Sequence, residues 1–299
     1  MPISRHNHNG SAGAHDSAHE ARIHDQFTQQ AERFARSPEL HTDAQIRLIV
    51  DATAPKPDDE SLDVACGPGT VVAAFATRLR RAVGLDTTDA MLEQARALAA
   101  QRKLHNVEWR LGDVYRLPFA DHSFDIVSCR FAFHHFQEPT KAFAEMVRVC
   151  RSGGRVALCD AVTSSDPSKA AAFNRMERHR DPSTAEFRPL SFLIDLFGKA
   201  GFPPPAVVRF QVTYQCDVLI AKSFPANDDR EALRQMIDQL IGNDALETGT
   251  VPGGTAFIYP TAVLTATRPS AAAPPRLKVN GGSSAPQRVA GRNHRTSAG

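Results

Sequence analysis

The sequence contains no apolar run approaching the roughly 18 residues needed to cross a bilayer, so no transmembrane helix is expected. Its N-terminus also lacks the apolar core of a secretory signal, being rich in His, Asn and Ser instead, and a cytoplasmic location follows by default. Cysteine is scarce: Cys66, Cys129, Cys150, Cys159 and Cys216 are an odd set without paired spacing, which argues for reduced thiols over a disulfide framework. No Cys-x-x-Cys pair suggests zinc. Acidic residues are missing from 269–299, which holds Arg276, Lys278, Arg288, Arg292 and Arg295. A net charge of +2 for the whole chain therefore leaves −3 to residues 1–268, so no basic face for nucleic acid is expected. No internal repeat is visible.

What is present is enough for one sizeable α/β domain, with 299 residues and 42% hydrophobic content. Leu62-Asp63-Val64-Ala65 reads as a buried strand, Cys66-Gly67-Pro68-Gly69 as a tight turn, and Thr70, Val71, Val72, Phe75 and Leu79 as the helix that follows. A strand, a Gly-rich turn and a helix form the nucleotide-binding corner of a doubly wound sheet. Glycines there let the backbone approach a ligand, and the helix N-terminus offers free N–H groups. A dinucleotide fingerprint needs a third Gly or Ala three residues after Gly69, and Val72 stands there, so a pyrophosphate fits poorly. Ala82-Val83-Gly84-Leu85-Asp86 supplies a second strand ending in a carboxylate able to hold two ribose hydroxyls.

Further segments follow in order. Gly112-Asp113-Val114 precedes Leu117-Pro118-Phe119; Phe124-Asp125-Ile126-Val127 opens a nearly continuous apolar strand; and Arg151-Ser152-Gly153-Gly154 turns into a fifth. Together with Asp63–Thr70, Gly84–Thr88 and Met91-Leu92, this pattern resembles the class I S-adenosylmethionine-dependent methyltransferases, in the small-molecule branch that includes the ubiquinone and menaquinone enzymes. The resemblance spans roughly residues 20–268. It implies an α/β, doubly wound, Rossmann-like sheet of seven strands with helices on both faces and the last strand antiparallel. The implied cofactor is S-adenosyl-L-methionine, contacted at Asp63, Cys66, Gly67, Gly69, Asp86, Thr87, Met91, Gly112, Asp113, Val114 and Arg130. The implied partner is a small-molecule acceptor: a quinone, phenol or secondary-metabolite ring, with neither nucleic acid nor a membrane span expected. An Asn-Pro-Pro-Tyr-type tetrapeptide for amide or base nitrogens is absent. Two other readings stay open, a cofactor-binding protein with a regulatory or partner role and a dinucleotide-dependent oxidoreductase.

The remaining elements frame this core. Residues 1–19, with His6, His8, His15 and His19, are expected to be a disordered leader, and 269–299, rich in Pro, Gly, Ser and Ala, a disordered basic tail. Ile23 to about Ala52 reads as helical, with Phe27 and Phe34 on a stretch that resembles the helix closing over the cofactor. The polar stretch 164–189 sits where this architecture holds a substrate-facing insertion, although a charge-rich helix is usually a solvated face. Strands are expected at 206–214 and 257–266, with a helix over 228–241. His134 and His135 lie just beyond the central strand and are the candidate catalytic residues, one of them as base; their order in the chain does not say which faces the site. Cys66 reads as a small packing residue in its turn.

Overall fold

The computed structural model of the protein describes residues 17–35, 37, 40, 42–240, 247–251 and 254–270. Helices α1 (Ser17–Ala35) and α2 (Asp43–Ala52) precede the first strand. Strand β1 (Glu60–Val64), helix α3 (Thr70–Ala76), strand β2 (Arg81–Asp86), helix α4 (Asp89–Gln101) and strand β3 (Val107–Leu111) form the first half of the sheet. Strand β4 (Phe124–Arg130), helix α5 (Pro139–Val149) and strand β5 (Cys150–Ala161) follow. The rest is α6 (Pro167–Arg180), α7 (Leu190–Lys199), β6 (Ala206–Gln215), α8 (Cys216–Lys222), α9 (Arg230–Gln239), β7 (Glu247–Val251) and β8 (Gly254–Thr267).

The sheet order is β3-β2-β1-β4-β5-β8-β6, with β7 paired to β8. Strands β1 to β5 run parallel, and β8 is antiparallel to β5, β6 and β7. This is the expected doubly wound sheet with its antiparallel last strand. Strand β7 makes an eighth, a short hairpin arm on β8 that carries no apolar alternation in Glu247-Thr-Gly-Thr-Val251 to announce it. The central strands are covered on both faces, and Leu62, Val64, Val83, Leu85, Ile126 and Val127 are all fully buried. Chain order reverses between β1 and β4, and the crevice beyond their carboxyl ends is where such sheets bind ligands.

Three other expectations change. The helix read over Ile23–Ala52 is two helices: α1 ends at Ala35, and Thr42 restarts the chain as the N-cap of α2, its hydroxyl accepting from the Gln45 N–H at 3.2 Å. The leader read over 1–19 ends sooner, because Ser17–His19 open α1; His19 is buried, with Nε2 2.9 Å from the His135 carbonyl oxygen. Residues 1–16 of that leader and 271–299 of the tail lie outside the described residues. The polar 164–189 stretch is also not a solvated face. Helix α6 buries Phe173, Asn174, Met176 and Glu177, and the Glu177 carboxylate is matched by Arg180 at 2.8 Å and by the Tyr259 hydroxyl at 2.7 Å. Among the described residues no helix is long and apolar enough to cross a membrane.

Candidate active site

Two adjoining cavities open beyond the strand ends, of about 250 and 520 Å³. The smaller lies over the β1, β2 and β4 termini. Asp63, Cys66 and Gly67 reach it from β1 and the turn after it, Asp86, Thr87 and Met91 from β2 and the start of α4, Asp113 and Val114 from the segment after β3, and Arg130 from the end of β4. The backbone is forced open here: Ala65, Gly67 and Phe131 all take positive φ, at 55°, 52° and 53°, the first and third without glycine's freedom.

Asp86 organises the turn. One carboxylate oxygen accepts from the Gly67 N–H at 2.8 Å and the other from the Thr88 N–H at 2.9 Å, bringing the ends of β1 and β2 together. Burial raises its pKa, partly offset by these hydrogen bonds. Asp63 is more isolated. Burial pushes its carboxyl up to about 7 against a hydrogen bond from the Ser128 hydroxyl at 2.6 Å and the charge of Arg130. Arg130 donates to the Leu40 carbonyl and lies over the Phe131 ring at 4.2 Å, but its buried Nε has no partner. Burial likewise pushes the Cys66 thiol well up, which makes it a packing group and not a thiolate.

Two glycines named from the sequence lie elsewhere. Gly69 and Gly112 do not line the cavity. Gly69 has φ +79°, and a Cβ there would come within 2.5 Å of the Trp109 ring; at Gly112 it would meet Leu85 at 2.9 Å. Gly69 therefore serves a left-handed turn packed under an indole.

The larger cavity is walled mostly by rings and aliphatic groups, among them Phe131, Phe187, Val212, Tyr214 and Tyr259, with Arg180, Asp181 and Lys222 as charged members of its lining. His135, Phe27 and Phe131 line both cavities and form the passage between them. His134 lines the larger one only. The two imidazoles sit in one turn of 3-10 helix, Phe133–His135, with ring centroids 4.2 Å apart. His134 stacks on Phe187 at 4.1 Å and 11°, and Phe27 meets His135 edge-on at 4.9 Å.

Each imidazole is held by Nδ1. That of His134 faces an Asp160 oxygen at 2.8 Å, and that of His135 faces the Ser183 carbonyl oxygen at 3.0 Å. Both oxygens only accept, so each Nδ1 carries a proton. No described group bonds Nε2 of His135. Burial and the neighbouring His134 lower its pKa to about 4, so the ring is neutral at pH 7.

The loop after α6 completes this site. The His134 carbonyl accepts from the Ala185 and Glu186 N–H groups, both at 2.9 Å, and Asn174 brackets Phe187 with bonds of 2.9 and 2.7 Å to its carbonyl and N–H. Asp181 and Ser183, buried beside His135, carried no sequence signal beyond their place in the 164–189 insertion.

Comparison with known proteins settles the family. A model described as a methyltransferase domain matches residues 62–158. The uncharacterized methyltransferase YcgJ of Bacillus subtilis is 28% identical over 211 residues, covering 70% of this chain and 83% of that protein. Its crystal structure matches with a TM-score of 0.68 over 77% of this chain and 100% of that one, at 26% identity. A demethylmenaquinone methyltransferase of Listeria welshimeri is 31% identical over 162 residues, 47% of this chain and 69% of the relative. The chain belongs to the class I S-adenosylmethionine-dependent methyltransferases. The methyltransferase thus takes S-adenosylmethionine as its cofactor, and its smaller cavity has the chemistry to suit one: a carboxylate without a cationic side chain bonded to it, a buried guanidinium nitrogen without a partner, and a second carboxylate at the glycine turn.

Proposed function

We propose that the methyltransferase transfers a methyl group to a small, largely apolar ring acceptor seated in the 520 Å³ chamber, with His135 as the base. The observation that carries this reading is that His135 lines both cavities while its Nδ1 is occupied and its Nε2 is not. The likeness to a demethylmenaquinone methyltransferase supports a quinone or phenol type of ring, which the aromatic walls would accept face-on.

In this reading Asp86 holds the ribose hydroxyls of the cofactor, Asp63 its ammonium and the orphaned Arg130 Nε its carboxylate, while Asp113 and Val114 meet the adenine. When bound, S-adenosylmethionine would supply an activated methyl group on a cationic sulfur, with a neutral thioether as its leaving group. Phe27, Phe131 and Phe136 keep water from the passage. His135 Nε2 takes the acceptor's proton and later returns it to solvent. Alignment across the passage supplies most of the rate.

The test is an incubation of the protein with methyl-labelled S-adenosylmethionine and a metabolite extract, with labelled products identified by mass spectrometry. A labelled aromatic or quinone-type product supports the proposal. Label only on a charged polar acceptor too hydrophilic for this chamber contradicts it.

A further inference from the structure

Behind His135 lies a chain of buried groups that the turn they belong to does not require. Asp181, Ser183 and His135 are 5%, 0% and 5% exposed. Asp181 Oδ1 accepts from the Ser183 N–H at 3.0 Å and the Asp181 carbonyl from the Thr184 N–H at 2.9 Å, and these two bonds close the 181–184 turn. The same oxygen also takes a short hydrogen bond from the Ser183 hydroxyl, whose oxygen then lies 3.1 Å from His135 Nδ1. Since the hydroxyl proton points at Asp181, its oxygen accepts from the Nδ1 proton, alongside the Ser183 carbonyl at 3.0 Å. One imidazole N–H is thus shared between two oxygens of one serine, with a carboxylate behind them.

We infer that Asp181 and Ser183 are positioning residues for methyl transfer: they hold His135 with its proton on Nδ1 and its Nε2 open to the acceptor, and they stabilise the imidazolium formed when Nε2 takes a proton. This rests on the reading of His135 as the base.

The surrounding charges favour this arrangement. Arg180 is already engaged, with Nε and Nη2 both 2.8 Å from a Glu177 oxygen. Burial would raise the Asp181 carboxyl; the Arg180 charge and the Ser183 bonds oppose this, and a protonated His135 holds it below its ordinary value. As a carboxylate it is a negative charge without a bonded cationic side chain until His135 becomes positive. The proton balance is simple: the acceptor loses one proton, Nε2 gains it, the Nδ1 proton stays in place, and neither Ser183 nor Asp181 changes protonation.

The inference also sets a requirement on the acceptor. A base held this way is needed only where the reacting group gives up a proton, such as a hydroxyl, a protonated nitrogen or an acidic ring carbon. An acceptor reacting through a bare lone pair, such as a thioether or a tertiary amine, has no use for it.

Two measurements test the inference. The first is the imidazole ¹⁵N–¹H spectrum of the full ¹⁵N-labelled chain, with the His135 signals assigned by their loss in His135→Gln. The expected signature is a protonated Nδ1 and a bare Nε2; a proton on Nε2 overturns the inference without any turnover assay. The second is turnover of the labelled product with methyl-labelled S-adenosylmethionine. Asp181→Asn keeps the turn and removes the charge; it is expected to lower kcat roughly 10- to 100-fold, with S-adenosylhomocysteine affinity within a few fold. Ser183→Ala should lower kcat as well, and Ser183→Thr, which restores the hydroxyl, should recover most of it. If Asp181→Asn and Ser183→Ala turn over at the full rate while His135→Ala does not, the relay is wrong and the base reading stands. If His135→Ala itself keeps full rate, the base reading fails and the relay fails with it.

Discussion

The Asp160 carboxylate accepts two hydrogen bonds from His134, one from Nδ1 at 2.8 Å and one from the backbone N–H at 3.0 Å, and a third from the Ala161 N–H at 2.8 Å. A single side chain at the end of β5 thus fixes the turn that carries both histidines. Removing it leaves three buried donors without an acceptor, and each such loss costs on the order of 1–3 kcal/mol. Asp160→Ala is accordingly expected to destabilise the fold by at least about 2 kcal/mol, read by urea unfolding. A change within a few tenths of a kcal/mol would mean that water entering the chamber replaces the carboxylate.

Cofactor affinity should depend on Asp86. Asp86→Ala removes the acceptor for the Gly67 and Thr88 N–H groups as well as the proposed ribose contact. A loss of about 1.5–3 kcal/mol in S-adenosylhomocysteine binding is expected, measured by calorimetry. Unchanged affinity would place the ribose elsewhere.

Asp63 gives a pH dependence of known sign. Its folded pKa, about 7, lies above the ordinary value of 3.8, so between these values the folded chain binds a proton that the unfolded chain has lost. This contribution to stability is full below about pH 4, falls as pH rises toward 7, and is lost above it. His135, lowered from 6.5 to about 4, acts in the opposite sense, weakening the fold as pH drops through that window. Comparison with Asp63→Asn isolates the first effect: from pH 5 to pH 8 the wild type should lose about 2–3 kcal/mol relative to the variant. Binding of S-adenosylhomocysteine should weaken below pH 7 in the wild type, as Asp63 takes up its proton, and lose that dependence in Asp63→Asn. Parallel stability profiles would show that Asp63 is ionised in the free protein.

Gly69→Ala tests the packing role of that glycine. A left-handed φ costs an L-residue roughly 1–2 kcal/mol, and the new methyl group would press into Trp109. The variant should unfold at markedly lower urea while its remaining folded fraction binds S-adenosylhomocysteine normally. Wild-type stability with weakened binding would return Gly69 to the ligand.

Much of the cofactor corner was legible in the sequence because its signals are local. The strand, the Gly67–Gly69 turn and Asp86 lie within a few tens of residues, and the bond that joins them spans only 19 positions. The His pair could be found from its place after the most continuous apolar strand, although which ring commands the passage depends on the third dimension. Asp181 and Ser183 could not be found this way, since they meet His135 across 48 positions and only through the packing of α6. The charges of α6 read as a solvated face because a Glu177–Arg180 pair three positions apart is usual on an exposed helix, and the Tyr259 hydroxyl that marks Glu177 as buried lies 82 positions later. His19 gives no local sign of its burial, since its partner lies 116 positions away.

The most direct measurement is turnover of His135→Ala beside the wild type, scored by label transferred from methyl-labelled S-adenosylmethionine to the identified acceptor, with S-adenosylhomocysteine affinity measured on the same samples. The expected result is a fall in turnover of roughly 10²–10⁴-fold with affinity within a few fold. Turnover equal to the wild type would contradict His135 as the base and leave the chamber's alignment of acceptor and methyl as the whole source of rate.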